Sequence, residues 1–169
     1  MSNVVVTIAG GSVATTVVVL SVKTWWKGNR ELKSLVPYAG GLVTGSSWTL
    51  CAGGVLGAIA VQGAEMSNKV GEKAINLATG KQGPTALNQG DLGTLTYGGA
   101  CVVLIGTIVG FIALKAAGKA DKKRMLGGVL AGITLCATAG FSSAMQWVPD
   151  LYNTGGTWLT DALNGTWSL

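Results

Sequence analysis

The sequence predicts an all-α, polytopic membrane protein with four transmembrane helices in two hairpins and with both termini outside. Three observations favour this fold class. Charged residues make up only 11% of the 169 residues, against roughly 25% in ordinary globular proteins. Four long segments have apolar centres without a charge, and nine of the twelve basic residues fall into two short clusters. A soluble, Val- and Thr-rich β-protein is the alternative, but so few charges would cover its surface poorly.

Four segments reach the length of about 20 largely apolar residues that a spanning helix needs. They cover residues 4–22, 36–62, 97–114 and 126–148. Their valine-rich parts would also suit β-strands in water. Their apolar residues do not alternate with polar ones, however, as they would in a membrane β-barrel. We therefore expect four helices.

These spans divide the chain into four parts. They are residues 1–63, a transmembrane hairpin with a basic loop at 23–35; residues 64–95, an outer amphipathic helix and loop; residues 96–148, a second hairpin with a basic loop at 115–125; and residues 149–169, an outer interfacial tail. Within the second part, apolar residues recur at helical spacing from Met66 to Leu77. This pattern predicts a helix over residues 64–80 that continues the second span, with Gly80 as its C-cap.

The two basic clusters orient the spans. Short loops rich in Lys and Arg stay on the cytoplasmic side of a membrane, and both clusters lie on the same side of a chain with four spans. The N-terminus, the middle segment and the tail then face outward. The residues expected at the cytoplasmic side are Lys23, Lys27, Arg30, Lys33, Lys119, Lys122, Lys123 and Arg124.

Aromatic residues near the ends of the segments are expected to anchor them at the membrane surface, because Trp and Tyr combine an apolar body with a polar tip. These anchors are Trp25, Trp26, Tyr38, Tyr97, Trp147, Trp158 and Trp167. Trp48 differs from them, since it lies near the middle of the second span. Its indole N–H should find a partner in another helix.

Small residues recur at every fourth position in two of the spans, and such stripes let helices approach closely in lipid. The second span has Gly41, Gly45, Thr49, Gly53 and Gly57; the fourth has Gly128, Gly132, Cys136, Gly140 and Ala144; and the third has Gly98, Gly106 and Gly110. The stripes have two interpretations. They close the bundle within one chain, or they form contacts between subunits.

The composition argues against catalysis and against metal binding. The sequence has no histidine, and its seven carboxylates are scattered singly, so no acid–base pair is evident. Cys51, Cys101 and Cys136 lie singly in apolar runs, without the spacing of a metal site. We expect no enzyme activity, no cofactor and no specific nucleic-acid binding. Membrane lipid is the expected environment, and bound lipid is compatible with the sequence.

Residues 96–147 hold an apolar segment with glycines, a basic turn and a second apolar segment, with the central sequence IGTIVGFIALKAAGKADKKRMLGGVLAGITL. This order resembles the hairpin of conjugative type IV secretion pilins, which pack with lipid into a hollow filament whose lumen is lined by the basic turn. The lumen-facing residues that the resemblance implies are Lys119, Lys122, Lys123 and Arg124. Pilins have one hairpin, whereas this sequence has two, and residues 4–62 repeat the order of helix, basic turn and helix.

These observations favour a structural membrane protein that assembles with copies of itself or with subunits of a larger complex, of a secretion, conjugation or phage-related kind. Two alternatives stay open. One is an oligomeric pore or holin-like channel, and the other is an accessory subunit of a membrane enzyme complex. The expected location is the bacterial inner (cytoplasmic) membrane, or a membrane-associated phage component.

Overall fold

The computed structural model describes residues 5–28, 32–51, 53–81 and 85–166. This part of the chain is mainly helical and has no β-strand, only isolated bridges of Thr7 with Ala86 and of Gln89 with Thr138. The all-α prediction is therefore confirmed. The helices are α1 (Ile8–Lys27), α2 (Leu32–Leu50), α3 (Gly54–Thr79), α4 (Tyr97–Ala116), α5 (Lys119–Cys136), α6 (Ala139–Ala144) and α7 (Trp147–Asn164).

α2 and α3 lie where one continuous helix is predicted, but the chain bends by 113° between them. Gly53 is fully extended, and Gly54 has a φ of 73°, a left-handed value that glycine adopts without a steric cost. The prediction of an unbroken helix over residues 36–62 is therefore wrong. The expected C-cap is confirmed, because Gly80 ends α3 in the left-handed conformation.

The predicted fourth span, residues 126–148, is divided as well. α5 ends at Cys136, and the backbone is extended at Thr138 before the short α6. The linker between α3 and α4 explains this break. The amide of Gly90 donates to the carbonyl of Ala137 at 2.9 Å, and the amide of Ala139 donates to the carbonyl of Asn88 at 3.0 Å. These long-range bonds replace helical ones, so the prediction of a single helix over 126–148 is wrong.

Two of the described helices, α1 and α4, are long and apolar enough to span a membrane, and the bent pair α2 and α3 would count as a third if it were one span. α1 and α4 each have 20 residues. At 1.5 Å per residue this is about 30 Å, the thickness of the hydrocarbon core. α5 differs because charged residues crowd its first six positions, which leaves only residues 125–136 apolar.

The helices form two units that are built alike, and we call α1 to α3 the first unit and α4 to α7 the second unit. In the first unit Thr7 caps α1, and the side-chain oxygen of Asn68 on α3 accepts from the Thr7 amide at 2.9 Å. In the second unit Thr96 caps α4, and the side-chain oxygen of Asn153 on α7 accepts from the Thr96 amide at 2.8 Å. We call each pair an asparagine clamp.

The two clamps agree in further detail. The side-chain amide of Asn68 donates to the carbonyl of Val5 at 2.9 Å, and that of Asn153 donates to the carbonyl of Thr94 at 3.2 Å. Each acceptor lies two residues before the capping threonine. Each clamp thus ties the start of a long apolar helix to the third long helix of its unit.

Candidate helix interface and basic end

The two units meet where α2 packs on α5, in a contact that we call the central seam. Four glycines make this contact close. A Cβ atom on Gly41 would meet the carbonyl oxygen of Met125, and one on Gly45 would meet that of Val129. The contacts of Gly128 and Gly132 are of the same kind, with the carbonyl oxygens of Tyr38 and Leu42 respectively. Because these neighbours are backbone atoms, only glycine permits the observed approach.

The contacts of the seam also give its direction and symmetry. The partners on α5 advance from Met125 to Val129 as α2 advances from Gly41 to Gly45, so the two helices are parallel. Gly41 contacts Met125, which lies three positions before Gly128. In the same way, Gly128 contacts Tyr38, which lies three positions before Gly41. Equivalent residues of the two units therefore contact each other reciprocally, as in an interface with two-fold symmetry.

The other predicted packing glycines lie elsewhere. A Cβ on Gly110 of α4 would lie 3.6 Å from the hydroxyl oxygen of Thr44. Gly57 is buried in α3. Within the described part of the chain, a Cβ on Gly53, Gly106 or Gly140 would meet no atom within 4 Å. The stripes therefore supply close backbone contacts within one chain at the four seam glycines and at Gly98, where a Cβ would lie 3.1 Å from the backbone of Gly156. Gly106 leaves one face of α4 open.

Two further close contacts involve glycines that the stripes did not single out. In the first unit a Cβ on Gly71 would meet the carbonyl oxygen of Ala9, and in the second unit a Cβ on Gly156 would meet the backbone at Gly98 and Gly99. Gly71 and Gly156 each follow the clamp asparagine by three residues. The sequence does carry this shared spacing, in NKVG and NTGG.

Trp48 has the partner that its position requires. Its Nε1–H donates to the hydroxyl oxygen of Thr107 on α4 at 3.0 Å, and that hydroxyl donates in turn to the carbonyl of Val103 at 2.8 Å. The prediction of a partner in another helix is confirmed. The bond joins α2 of the first unit to α4 of the second, beside the seam.

The described basic residues of the two clusters gather at one end of the molecule, which we call the basic end. The predicted basic loops are largely helical there, because Lys23 and Lys27 lie in the last turns of α1, Lys33 begins α2, and Lys119, Lys122 and Lys123 lie in the first turns of α5. Arg124 Nη1 lies 3.4 Å from the carbonyl oxygen of Ser34 and 3.5 Å from an Asp121 carboxylate oxygen. The first of these contacts joins the two basic segments. Arg30 lies outside the described residues.

A pocket of about 200 Å³ lies at the basic end between α1, α2 and α5, and we call it the basic-end pocket. Trp25, Tyr38 and Arg124 contribute its largest polar side chains. Val17 and Leu20 of α1 add apolar surface to the lining. The pocket thus combines polar donors with aliphatic surface.

The predicted aromatic anchors differ in exposure. Trp26, Trp147 and Trp158 are 60%, 52% and 70% exposed, and Tyr97 is 90% exposed, which suits contact with a headgroup layer. Tyr38 is only 6% exposed and lies inside the bundle. Trp25 packs edge-on against Trp26, with ring centres 6.3 Å apart. Trp167 lies outside the described residues.

The end of the seam away from the basic end is closed by α3 and α7. The hydroxyl oxygens of Thr134 on α5 and Ser67 on α3 lie 2.9 Å apart. At the equivalent place in the other unit Tyr152 of α7 lies beside Ser47 of α2, and burial raises the pKa of the Tyr152 hydroxyl above its ordinary value. Among the described residues, no three His, Cys, Asp or Glu side chains are grouped to hold a metal ion.

No protein-family model, curated protein or solved structure matches this chain. Functional inference therefore depends on the residues and contacts of the chain itself.

Proposed function

We propose that this chain is a structural integral membrane protein with four spans and with both termini outside. In this topology α1 and α4 run inward, and α2 and α5 run outward. The parallel packing of α2 on α5 supports it, since both helices begin at the basic end. The contact of Arg124 with the Ser34 carbonyl supports it as well, because it joins both basic segments at one end of the molecule, as a shared cytoplasmic side requires.

α5 fits a span in spite of its charged start. It has 18 residues, a length of about 27 Å. Lys119, Lys122 and Lys123 have long aliphatic stems that extend along a helix to the headgroup region while the backbone lies deeper. The charged first turns then belong to the membrane surface, and residues 125–136 to the hydrocarbon core.

The observation that carries a role in assembly is the outward face of α3. The apolar residues Val55, Ile59, Met66, Val70 and Leu77 are between 40% and 90% exposed. At 100° per residue they lie within a sector about 60° wide. The opposite face packs into the unit through Ala60, Ala64 and Gly71. Lys73 lies within the same sector, so α3 presents a narrow, mainly apolar stripe that one lysine interrupts, of the kind that docks on a partner.

α7 presents a matching face in the second unit. Leu151, which occupies the position of Met66, is 57% exposed, and Trp158 is 70% exposed. Two outward stripes on one molecule suit lateral assembly with further copies, or with subunits of a larger membrane complex. The proposed setting is a bacterial inner membrane, in a secretion, conjugation or phage-related apparatus. α4 and α5 follow one another across a turn at residues 117–118, and this order of helix, basic turn and helix supports the proposed likeness to conjugative pilins.

The proposal is tested by measuring the mass of the protein extracted in a mild detergent. Light scattering coupled to chromatography gives the mass, and negative-stain images of the peak give the shape. We expect rings, filaments or a hetero-complex for the wild type. Substituting Met66→Glu and Val70→Glu should release smaller particles, whereas the matched change Gln62→Glu on the same helix should not.

A monomer of 17.1 kDa from the wild type, without co-purified partners, would refute assembly. Rings with a lumen call for a second measurement, the flux of small ions from liposomes. Rapid flux would replace the structural role with an oligomeric pore.

A further inference from the structure

Two of the residues that line the basic-end pocket, Trp25 and Tyr38, carry buried donors. Among the residues that the structure describes, neither the Trp25 indole N–H nor the Tyr38 hydroxyl has a hydrogen-bond partner, although both polar atoms are buried. Ser21 lies beside Tyr38 and donates its hydroxyl to the carbonyl of Val17 at 2.8 Å, and it forms no hydrogen bond with the Tyr38 hydroxyl. Buried polar groups are nearly always paired, because an unpaired one destabilises the fold. The two donors therefore indicate a ligand that carries acceptor oxygens.

The charge around the pocket specifies an anion. Arg124 uses Nη1 for its two long contacts, and a guanidinium has five N–H donors in all. Lys23, Lys27 and Lys33 lie on the neighbouring turns of α1 and α2. The N-terminal ends of the parallel helices α2 and α5 point toward this end, which adds two positive dipole ends. An arginine with two neutral donors matches the several oxygens of a phosphoryl group.

The two units differ at this pocket, although they agree at the seam and at the clamps. Equivalent residues are found by aligning the glycines of the two units. Gly10 of α1 is equivalent to Gly99 of α4, and Gly41 of α2 is equivalent to Gly128 of α5. Positions equivalent to the donors hold residues without any side-chain donor: Leu114 for Trp25, Met125 for Tyr38, and Pro37 for Arg124. Packing of the shared framework thus does not require the three donors, which belong to one unit's pocket alone.

We propose that the basic-end pocket binds the headgroup of an anionic phospholipid, one molecule per chain. The phosphate oxygens accept from Trp25, Tyr38 and Arg124, and the first carbons of the acyl chains lie along Val17 and Leu20. A soluble phosphate would satisfy the same donors. The pocket, however, lies where α1 ends and α2 begins, with aliphatic surface in its lining. These features favour a lipid at the membrane surface.

The test is a lipid titration of the full-length protein in a nonionic detergent, read by native mass spectrometry. Phosphatidylglycerol is compared with phosphatidylcholine of the same acyl chains. The variants Tyr38→Phe and Arg124→Gln each remove one proposed contact. Their matched controls are Tyr97→Phe, which removes an exposed hydroxyl, and Lys119→Gln, which removes one positive charge at the same end. Far-UV circular dichroism and elution volume show which variants keep the fold.

The wild type should bind one phosphatidylglycerol at least about tenfold more tightly than phosphatidylcholine. Arg124→Gln should weaken this binding about tenfold and Tyr38→Phe several-fold, because both remove hydrogen bonds to a charged group. The two controls should change it less than about twofold.

Equal affinity for the two lipids, or equal affinity of folded Tyr38→Phe and Arg124→Gln variants and their controls, would overturn the proposal. A further arm adds excess inorganic phosphate, which should leave the lipid bound. Displacement of the lipid by phosphate would assign the pocket to a soluble phosphate and would overturn the proposal of a lipid site. Lipid binding is counted per chain here, so the result is independent of whether the chains assemble.

Discussion

The indole N–H of Trp48 donates to the hydroxyl oxygen of Thr107 at 3.0 Å, across the gap between α2 and α4. The Thr107 hydroxyl also donates to a backbone carbonyl of its own helix, so it serves as both acceptor and donor. In the proposed spans, where water would not compete, such a bond fixes the rotation of two helices about their axes. It also joins α2 of the first unit to α4 of the second unit.

Replacing Trp48 by Phe should therefore destabilise the bundle modestly. Interhelical hydrogen bonds in membrane proteins contribute about 0.6 kcal/mol on average and up to about 2 kcal/mol, and the smaller ring adds a loss of packing. Thr107→Val removes the acceptor with little change of volume. Unfolding in mixed micelles of mild detergent and dodecyl sulfate, followed by circular dichroism, measures both variants and the double variant. Strictly additive losses would show that the two side chains do not interact.

The seam glycines should tolerate no side chain. Gly45→Ala places a methyl group against the backbone carbonyl of Val129. Forcing extra atoms into a packed interface typically costs about 1–3 kcal/mol, and here the neighbour is backbone that moves only with its helix. We expect a loss of about 2 kcal/mol or more in the same unfolding experiment.

Gly40 is the matched control for this substitution, because it is the exposed neighbour of Gly41 on the same helix. A Cβ on Gly40 meets none of the described residues within 4 Å. Gly40→Ala should be neutral or stabilise by up to about 1 kcal/mol, since alanine is the better helix former. Equal effects of the two substitutions would mean that the seam is looser than the backbone contacts indicate.

The sequence anticipates the features that depend on local composition. The spacing of Gly41, Gly45, Gly128 and Gly132 marks the helix faces that meet, and the apolar position of Trp48 implies a partner for its N–H. The breaks after Leu50 and Cys136 escape such reasoning, because the residues on both sides of each break are equally apolar. They depend on the left-handed conformation of Gly54 and on bonds from a linker that is distant in sequence.

The asparagine clamps cannot be predicted from the sequence for a related reason. Asn68 is 61 residues from Thr7, and the local sequence around either residue does not predict that the two are in contact. The likeness of the two units becomes recognisable only when both clamps are seen together, since the shared elements are single threonines, asparagines and glycines in otherwise different helices. The basic-end pocket likewise combines α1, α2 and α5, and only the fold brings these together.

The clamps lead to a paired prediction. Asn68→Ala and Asn153→Ala each remove one side chain that accepts from a threonine amide and donates to a nearby carbonyl. Each variant should lose about 1–2 kcal/mol of stability, because an N-cap is left with fewer bonds. The two losses should be similar, as the clamps are built alike. Gln62→Ala, at an exposed position of α3, is the control and should have little effect on stability. If Asn153→Ala leaves the stability unchanged, the two units are not equivalent.

The proposed four-span topology makes the last prediction, since spans formed by the parallel helices α2 and α5 would place both basic segments on one side of the membrane. Single cysteines replace Lys27, Lys119, Lys81 and Asn164 in a variant whose three natural cysteines are changed to alanine. A maleimide that does not cross membranes is then applied to intact cells with a permeabilised outer membrane. Positions 81 and 164 should react in intact cells, whereas 27 and 119 should react only after lysis. Reaction of 27 without 119, or of 119 without 27, would place the basic segments on opposite sides and exclude four spans.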